Sequence, residues 1–240
     1  MSRSILIGIP LFEGFDMLDV AGPHEIFSWM KMAWPGSTVT VELIADATPV
    51  KSNNGMRLLP DHVGFESYGK QLDVLFVPGS AGGIVDGVIA NQPRFLAFLK
   101  KQAPGAQWVS SVCTGAFLLA ASGLLDDRQA TTYWGSIADL QQRFPKVRVV
   151  NGYPRYTVDR NVVTGGGLSS GLDETLKLVS LIAGDENVGK RVQLMVQYNP
   201  HPPYDEGDPS VADYQTYSFV MNAFGGGQQV AVEKVVGAKA

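Results

Sequence analysis

Short continuous apolar runs alternate with longer segments of helical period along most of this chain, and no other feature limits its possible folds as much. The runs are "SILIGIPL" (4–11), "VTVELIA" (39–45), "LDVLFVPG" (72–79) and "QWVSSV" (107–112). A strand that is apolar at nearly every position has both faces covered, which is the condition of a parallel sheet between two layers of helices. The intervening segments carry helix signatures. "LDVAGPHEIFSWMKMA" (18–33) has Asp19 close to its start and Pro23 near its first turn. "QPRFLAFLKKQA" (92–103), "TGAFLLAAS" (114–122), "YWGSIADLQQRF" (133–144) and "ENVGKRVQLMVQY" (186–198) are further helices. "SSGLDETLKLVSLIAG" (169–184) is the clearest helix, with Leu172, Leu176, Val179 and Ala183 on one face. Asn54-Gly55 predicts a tight turn within a hairpin over 50–61. "VRVV" and "YTVDRNVVTG" predict strands, the latter turning at 159–161. The expected fold class is α/β: a flavodoxin-like three-layer sandwich with a mostly parallel central sheet.

Residues 1–200 read as one domain. From "NPHPPYDEGDPS" (199–210) the texture changes to proline, acid and glycine. Residues 201–240 are therefore expected to be a C-terminal extension that packs on the domain or on a dimer partner, too short for a domain of its own.

Charge and cysteine usage remove several classes of function. The net charge is −4 and no basic block occurs, so nucleic acid is not an expected partner. No apolar run approaches a membrane span, and Met1–Ser4 lead straight into the first strand rather than into a secretory leader. A single cysteine forms no internal disulfide. Together these point to a cytoplasmic protein. His24, His62 and His201 stand far apart, with no pair at ligand spacing, so neither metal nor organic cofactor is expected. "GDENVGKR" (184–191) ends in Arg191 where a phosphate-binding loop needs a hydroxyl, and it follows a helix rather than a strand. "TGGGLSSG" (164–171) does not satisfy the dinucleotide fingerprint; its glycines suit close backbone approach.

That one cysteine, Cys113 in "SSVCTG" (110–115), lies between a strand and a helix. In parallel α/β folds ligands bind at the carboxyl ends of strands, and three loops fall there: "GFDMLD", "PGSAGG" and "CTG". A strand-to-helix elbow places the sulfur near free helix N–H groups, which predicts a lowered thiol pKa. Packing as a small buried hydrophobe is the alternative for Cys113. For Asp19 the alternative to catalysis is an N-cap.

"SVCTGAFLLAASGLLDDRQATTYW" (111–134) resembles the DJ-1/PfpI superfamily, and within it the isocyanide hydratases. The resemblance extends in order through "FDMLDVAGPHEIF" (15–27), "VLFVPGSAGG" (74–83), "VVTGGGLSSGLD" (162–173) and "RVQLMVQYNPHPPYDEGDP" (191–209). Asp19 stands where many members carry glutamate, and Cys-Thr-Gly where protease-like relatives have Cys-His-Gly. The resemblance implies a cofactor-independent enzyme that adds water to an isocyanide, with Cys113 as nucleophile and Asp19 moving protons. It implies Thr114, Gly79 and Ser80 as oxyanion or substrate-positioning groups. Leu168 is matched to an apolar residue whose carbonyl lies near the cysteine. It also implies a homodimer and a small-molecule substrate. Two other functions remain open. One is a small-molecule-sensing domain like those preceding the DNA-binding part of AraC-type regulators, although only Lys234 and Lys239 are basic after Arg191. The other is a glyoxalase- or deglycase-like activity, whose usual glutamate and histidine partners are not evident.

Overall fold

The computed structural model describes residues 3–223. In chain order the strands are β1 (Arg3–Pro10), β2 (Ser37–Ala45), β3 (Val50–Lys51), β4 (Arg57–Leu58), β5 (His62–Val63), β6 (Val74–Val77), β7 (Trp108–Ser111), β8 (Gln129–Ala130), β9 (Arg148–Val149), β10 (Tyr156–Asp159) and β11 (Val162–Gly165). The helices are α1 (Met17–Ala33), α2 (Gly82–Asn91), α3 (Pro93–Gln102), α4 (Gly115–Ala121), α5 (Ile137–Arg143), α6 (Ser170–Ala183), α7 (Glu186–Met195) and α8 (Tyr214–Ala223).

The apolar runs become the centre of one sheet, ordered β10-β11-β7-β6-β1-β2-β5. All pairings are parallel except β10 with β11 at the edge. Val74–Val77 and Val162–Gly165 are buried at every position, as strands covered on both faces must be. Helices α1, α6 and α7 pack together in one layer, and α2, α3 and α4 in another. The architecture is the three-layer α/β sandwich. Its core contains edge-to-face aromatic pairs such as Phe27 with Phe76 and Phe12 with Phe95, at 5.7 and 5.5 Å between ring centres. Burying each such side chain contributes about 1.5–3 kcal/mol.

Several elements differ from expectation. "GSAGG" is not only a loop: Gly82 and Gly83 open α2, which the low helix propensity of glycine conceals. "VRVV" contributes only β9, in a small parallel ribbon with β8 outside the main sheet. The predicted helix over 133–144 begins as a 3₁₀ turn at Trp134–Ser136 and becomes α-helical at Ile137.

The most consequential difference is in α6. Its buried face is Ser170, Gly171, Glu174, Thr175, Leu178, Val179, Ile182 and Ala183, and Leu172 and Leu176 are only half-buried. Small residues at 170, 171 and 175 let the helix approach the sheet, so its inward stripe is turned away from the leucines. That rotation carries Glu174 into the interior.

By internal packing the chain divides into a unit ending at His201 and one beginning at Pro202. Within the second unit Asp213 caps α8, accepting from the Gln215 and Thr216 amides at 2.8 and 3.0 Å. Tyr214 and Phe219 of that helix are exposed. Residues 224–240, with Lys234 and Lys239, lie outside the described residues.

Candidate active site

Strand β7 ends at Ser111 and α4 begins at Gly115, leaving Val112, Cys113 and Thr114 for the reversal. Cys113 takes a φ of 56°, a left-handed conformation that costs a non-glycine residue on the order of 1–3 kcal/mol. The surroundings over-determine it. The Cys113 N–H donates to the Gly166 carbonyl at 2.8 Å, and its own carbonyl accepts from the Thr132 hydroxyl at 2.8 Å. Gly79 lies against the elbow: a Cβ there would stand 2.7 Å from both Thr114 N and Oγ1, and 2.9 Å from Cys113 Cβ. Only glycine fits a β6 loop that passes so close.

Asp19 reaches the same place from α1. It is not the N-cap; Asp16 is, its Oδ1 accepting from the Leu18 amide at 3.2 Å. Asp19 sits in the first turn and is wholly buried. Its Oδ2 accepts from the Gly79 amide at 3.0 Å. Its Oδ1 has no partner of ordinary hydrogen-bond geometry, yet the carboxyl lies close enough to the Cys113 thiol for each to act on the other's protonation. Burial pushes the Asp19 pKa up to about 8, and the negative charge of Asp16 adds to the rise. The Gly79 amide and the Cys113 side chain oppose it.

The expectation of a lowered thiol pKa is overturned. Cys113 is 6% exposed, and burial, reinforced by the Asp19 charge, pushes its thiol well above the ordinary range. The Thr114 and Leu168 amides, both close to the sulfur, pull the other way without winning. At neutral pH the pair therefore retains its protons, and the two amides stand ready for negative charge that develops on sulfur during a reaction.

The other predicted residues gather at this elbow in different roles. Gly79 N–H is committed to Asp19, and Ser80 N–H to the Thr114 hydroxyl at 2.9 Å. Neither amide is left over as an oxyanion donor. The Thr114 hydroxyl also donates to the Ser80 carbonyl at 2.6 Å, so it ties the elbow to the loop after β6. Leu168, 37% exposed with a φ of 34°, presents its amide to the sulfur rather than its carbonyl. Among the described residues no group of three His, Cys, Asp or Glu side chains gathers as a metal site. Among the same residues no helix is long and apolar enough to cross a membrane.

Glu174 has no counterpart in the sequence reading. It is completely buried; Oε1 accepts from the Ser110 hydroxyl of β7, and Oε2 has no partner. Burial raises its pKa well above the carboxylate range, with the Asp19 charge a smaller contributor. The folded chain thus holds a proton that the unfolded chain releases above its ordinary pKa of 4.5, and stability is lost as pH rises from there. Glu174→Gln keeps the Ser110 contact without that penalty. It is expected to stabilise the fold by about 0.5–2 kcal/mol at neutral pH. Urea unfolding at pH 5 and pH 8 checks this, with the gain larger at pH 8. The signal available in the sequence was the run of small residues at 170, 171 and 175.

Residues 4–181 match the model of the DJ-1/PfpI family. The chain is 36% identical over 210 residues to isonitrile hydratase of Pseudomonas putida, covering 87% of this chain and 85% of that protein. It is 28% identical over 192 residues to the HTH-type transcriptional regulator GbdR of Pseudomonas aeruginosa, covering 75% of this chain but 47% of the regulator. A crystal structure of a THiJ/PfpI family protein from Pseudomonas syringae superposes with a TM-score of 0.81 at 27% identity, covering 92% of this chain and 86% of that one.

Proposed function

The chain belongs to the DJ-1/PfpI family, and on that premise we propose that it adds water to an isonitrile, R–N≡C, to give the formamide R–NH–CHO. The observation that carries this reading is the buried carboxyl of Asp19 beside the Cys113 thiol at a strained elbow. An isonitrile carbon must gain both a proton and a nucleophile, and this pair holds one of each. The likeness to isonitrile hydratase supports the same choice.

The steps follow from the protonation states. Asp19 gives its proton to the isonitrile carbon as the Cys113 sulfur bonds to that carbon, and the thiol proton passes to the Asp19 carboxylate. The product is the thioimidate R–N=CH–S–Cys113, with Asp19 protonated again. Asp19 then protonates the nitrogen and takes a proton from the water whose oxygen bonds to carbon. The tetrahedral R–NH–CH(OH)–S–Cys113 collapses with loss of the C–S bond. The hydroxyl proton goes to Asp19, and the Asp19 proton goes to the leaving sulfur. The Thr114 and Leu168 amides steady the sulfur whenever it bears charge. No metal, redox partner or external acid enters this balance.

The test is to incubate the protein separately with an aryl isonitrile and with methylglyoxal. Formamide from the first and no lactate from the second is the expected result. Lactate without formamide would favour a glyoxalase-like activity, and neither product a sensing domain without turnover. In the same reading the protein is a cytoplasmic homodimer, its exposed Tyr214 and Phe219 suited to a subunit contact. Light scattering that finds only monomer would remove the dimer.

A further inference from the structure

We propose that Tyr133 is a further catalytic residue of this site, its phenol O–H donating a hydrogen bond to the substrate-derived nitrogen while water adds to the Cys113 adduct. The inference rests on the hydratase reading above.

Three placements bring Tyr133 to the reacting atoms. The preceding residue, Thr132, donates its hydroxyl to the Cys113 carbonyl at 2.8 Å, which ties this segment to the elbow. On the other side, the Tyr133 ring lies so close to Gly167 that any Cβ there would overlap it. Gly167 immediately precedes Leu168, whose amide faces the sulfur. Tyr133 is thus bracketed by two segments that both touch Cys113, one through the Thr132 hydroxyl and the other through the Gly166 carbonyl beside Gly167. The Trp134 side chain, whose only donor is its indole N–H, hydrogen-bonds the phenol, with the two rings 5.5 Å apart.

The chemistry leaves a place for such a group. The Gly79 and Ser80 amides are occupied by Asp19 and Thr114, and the Thr114 and Leu168 amides face sulfur. The thioimidate nitrogen lies one bond beyond the carbon attached to that sulfur, where these four amides provide no donor. Burial holds the Tyr133 pKa up to about 12, so the hydroxyl keeps its proton across the working range. Its hydrogen bond draws electron density from the C=N bond and makes the carbon more open to water. No bond to the Tyr133 hydrogen breaks, and Asp19 still supplies the proton that nitrogen keeps.

Tyr133→Phe removes one oxygen and keeps the ring against Gly167. With an aryl isonitrile, intact-protein mass spectrometry follows formation of the adduct and its hydrolysis. Adduct formation is expected within about twofold of wild type, while hydrolysis slows by about 10- to 100-fold, so that the thioimidate mass accumulates. Tyr133→His, which restores a ring N–H donor, is expected to recover part of the hydrolysis rate. Unchanged hydrolysis in Tyr133→Phe would overturn the proposal. Equal losses in the Phe and His variants would also overturn it, because they would mark a packing role. Absence of formamide from the wild-type protein is a separate result that removes both the hydratase reading and this one.

Discussion

Cys113→Ala is expected to form no formamide from an aryl isonitrile, a loss on the order of 10⁴-fold or more, because in the proposed reaction every covalent step passes through the sulfur. The variant still folds. Alanine suits the tight space between Gly79 and Thr114, and the elbow is held by main-chain contacts that do not involve the thiol. It also removes a buried group whose ionised form is costly. Chromatography of the reaction mixture measures the activity, and thermal melting measures the fold. Residual activity above a hundredth of wild type would mean that Asp19 and water suffice, and the covalent route would be wrong.

Asp19→Asn has the second-largest expected effect, and it separates activity from stability. Without a movable proton, turnover falls by about 10²- to 10⁴-fold. In the proposed mechanism the reactive form of Asp19 is protonated, and with a pKa of about 8 the expected kcat/KM falls as pH rises through that value. The variant lacks that limb. Stability moves the other way. Folded Asp19 keeps its proton to about 8, whereas the unfolded chain loses it near 3.8. The folded state therefore binds more protons inside that window, and wild-type stability declines as pH rises through it. Asparagine has no proton to lose, so the variant's advantage grows from pH 5 to pH 8 by at least ~1 kcal/mol. Melting curves at the two pH values measure it. An unchanged difference would mean that Asp19 is ionised throughout and that the general-acid role is wrong.

These opposite effects express one arrangement. A carboxyl kept in the interior beside a thiol costs folding free energy, and the same burial keeps it protonated for the proposed chemistry. Glu174 lies in the same situation but contacts Ser110 rather than the sulfur, so its replacement bears on stability and not on the covalent steps.

Much of the fold was legible in the residue order. β6 and the inner part of β1 read directly because a strand buried on both faces must be apolar throughout, whereas β2 alternates half-buried and exposed positions and read from its β-branched residues. α3 read from its amphipathic period. The elbow at Cys113 read because a strand-like run meets a small-residue helix there. The rest was less accessible. The glycines of α2 suppress its signal, and α6 turns its small residues inward where its leucines suggested another face.

The order of residues by itself determined the layered α/β class, the parallel core, the family resemblance and the placement of Cys113 at a strand end. Each depends on local pattern and chain direction alone. Tertiary structure decided the protonation of the site and the use of its donors. Whether Asp19 caps its helix or points at sulfur depends on where Gly79 comes to lie, 60 residues later in the chain. Whether the thiol is lowered or raised depends on how far the layers exclude water. Those are properties of distance and burial between segments remote in sequence, and no local pattern encodes them.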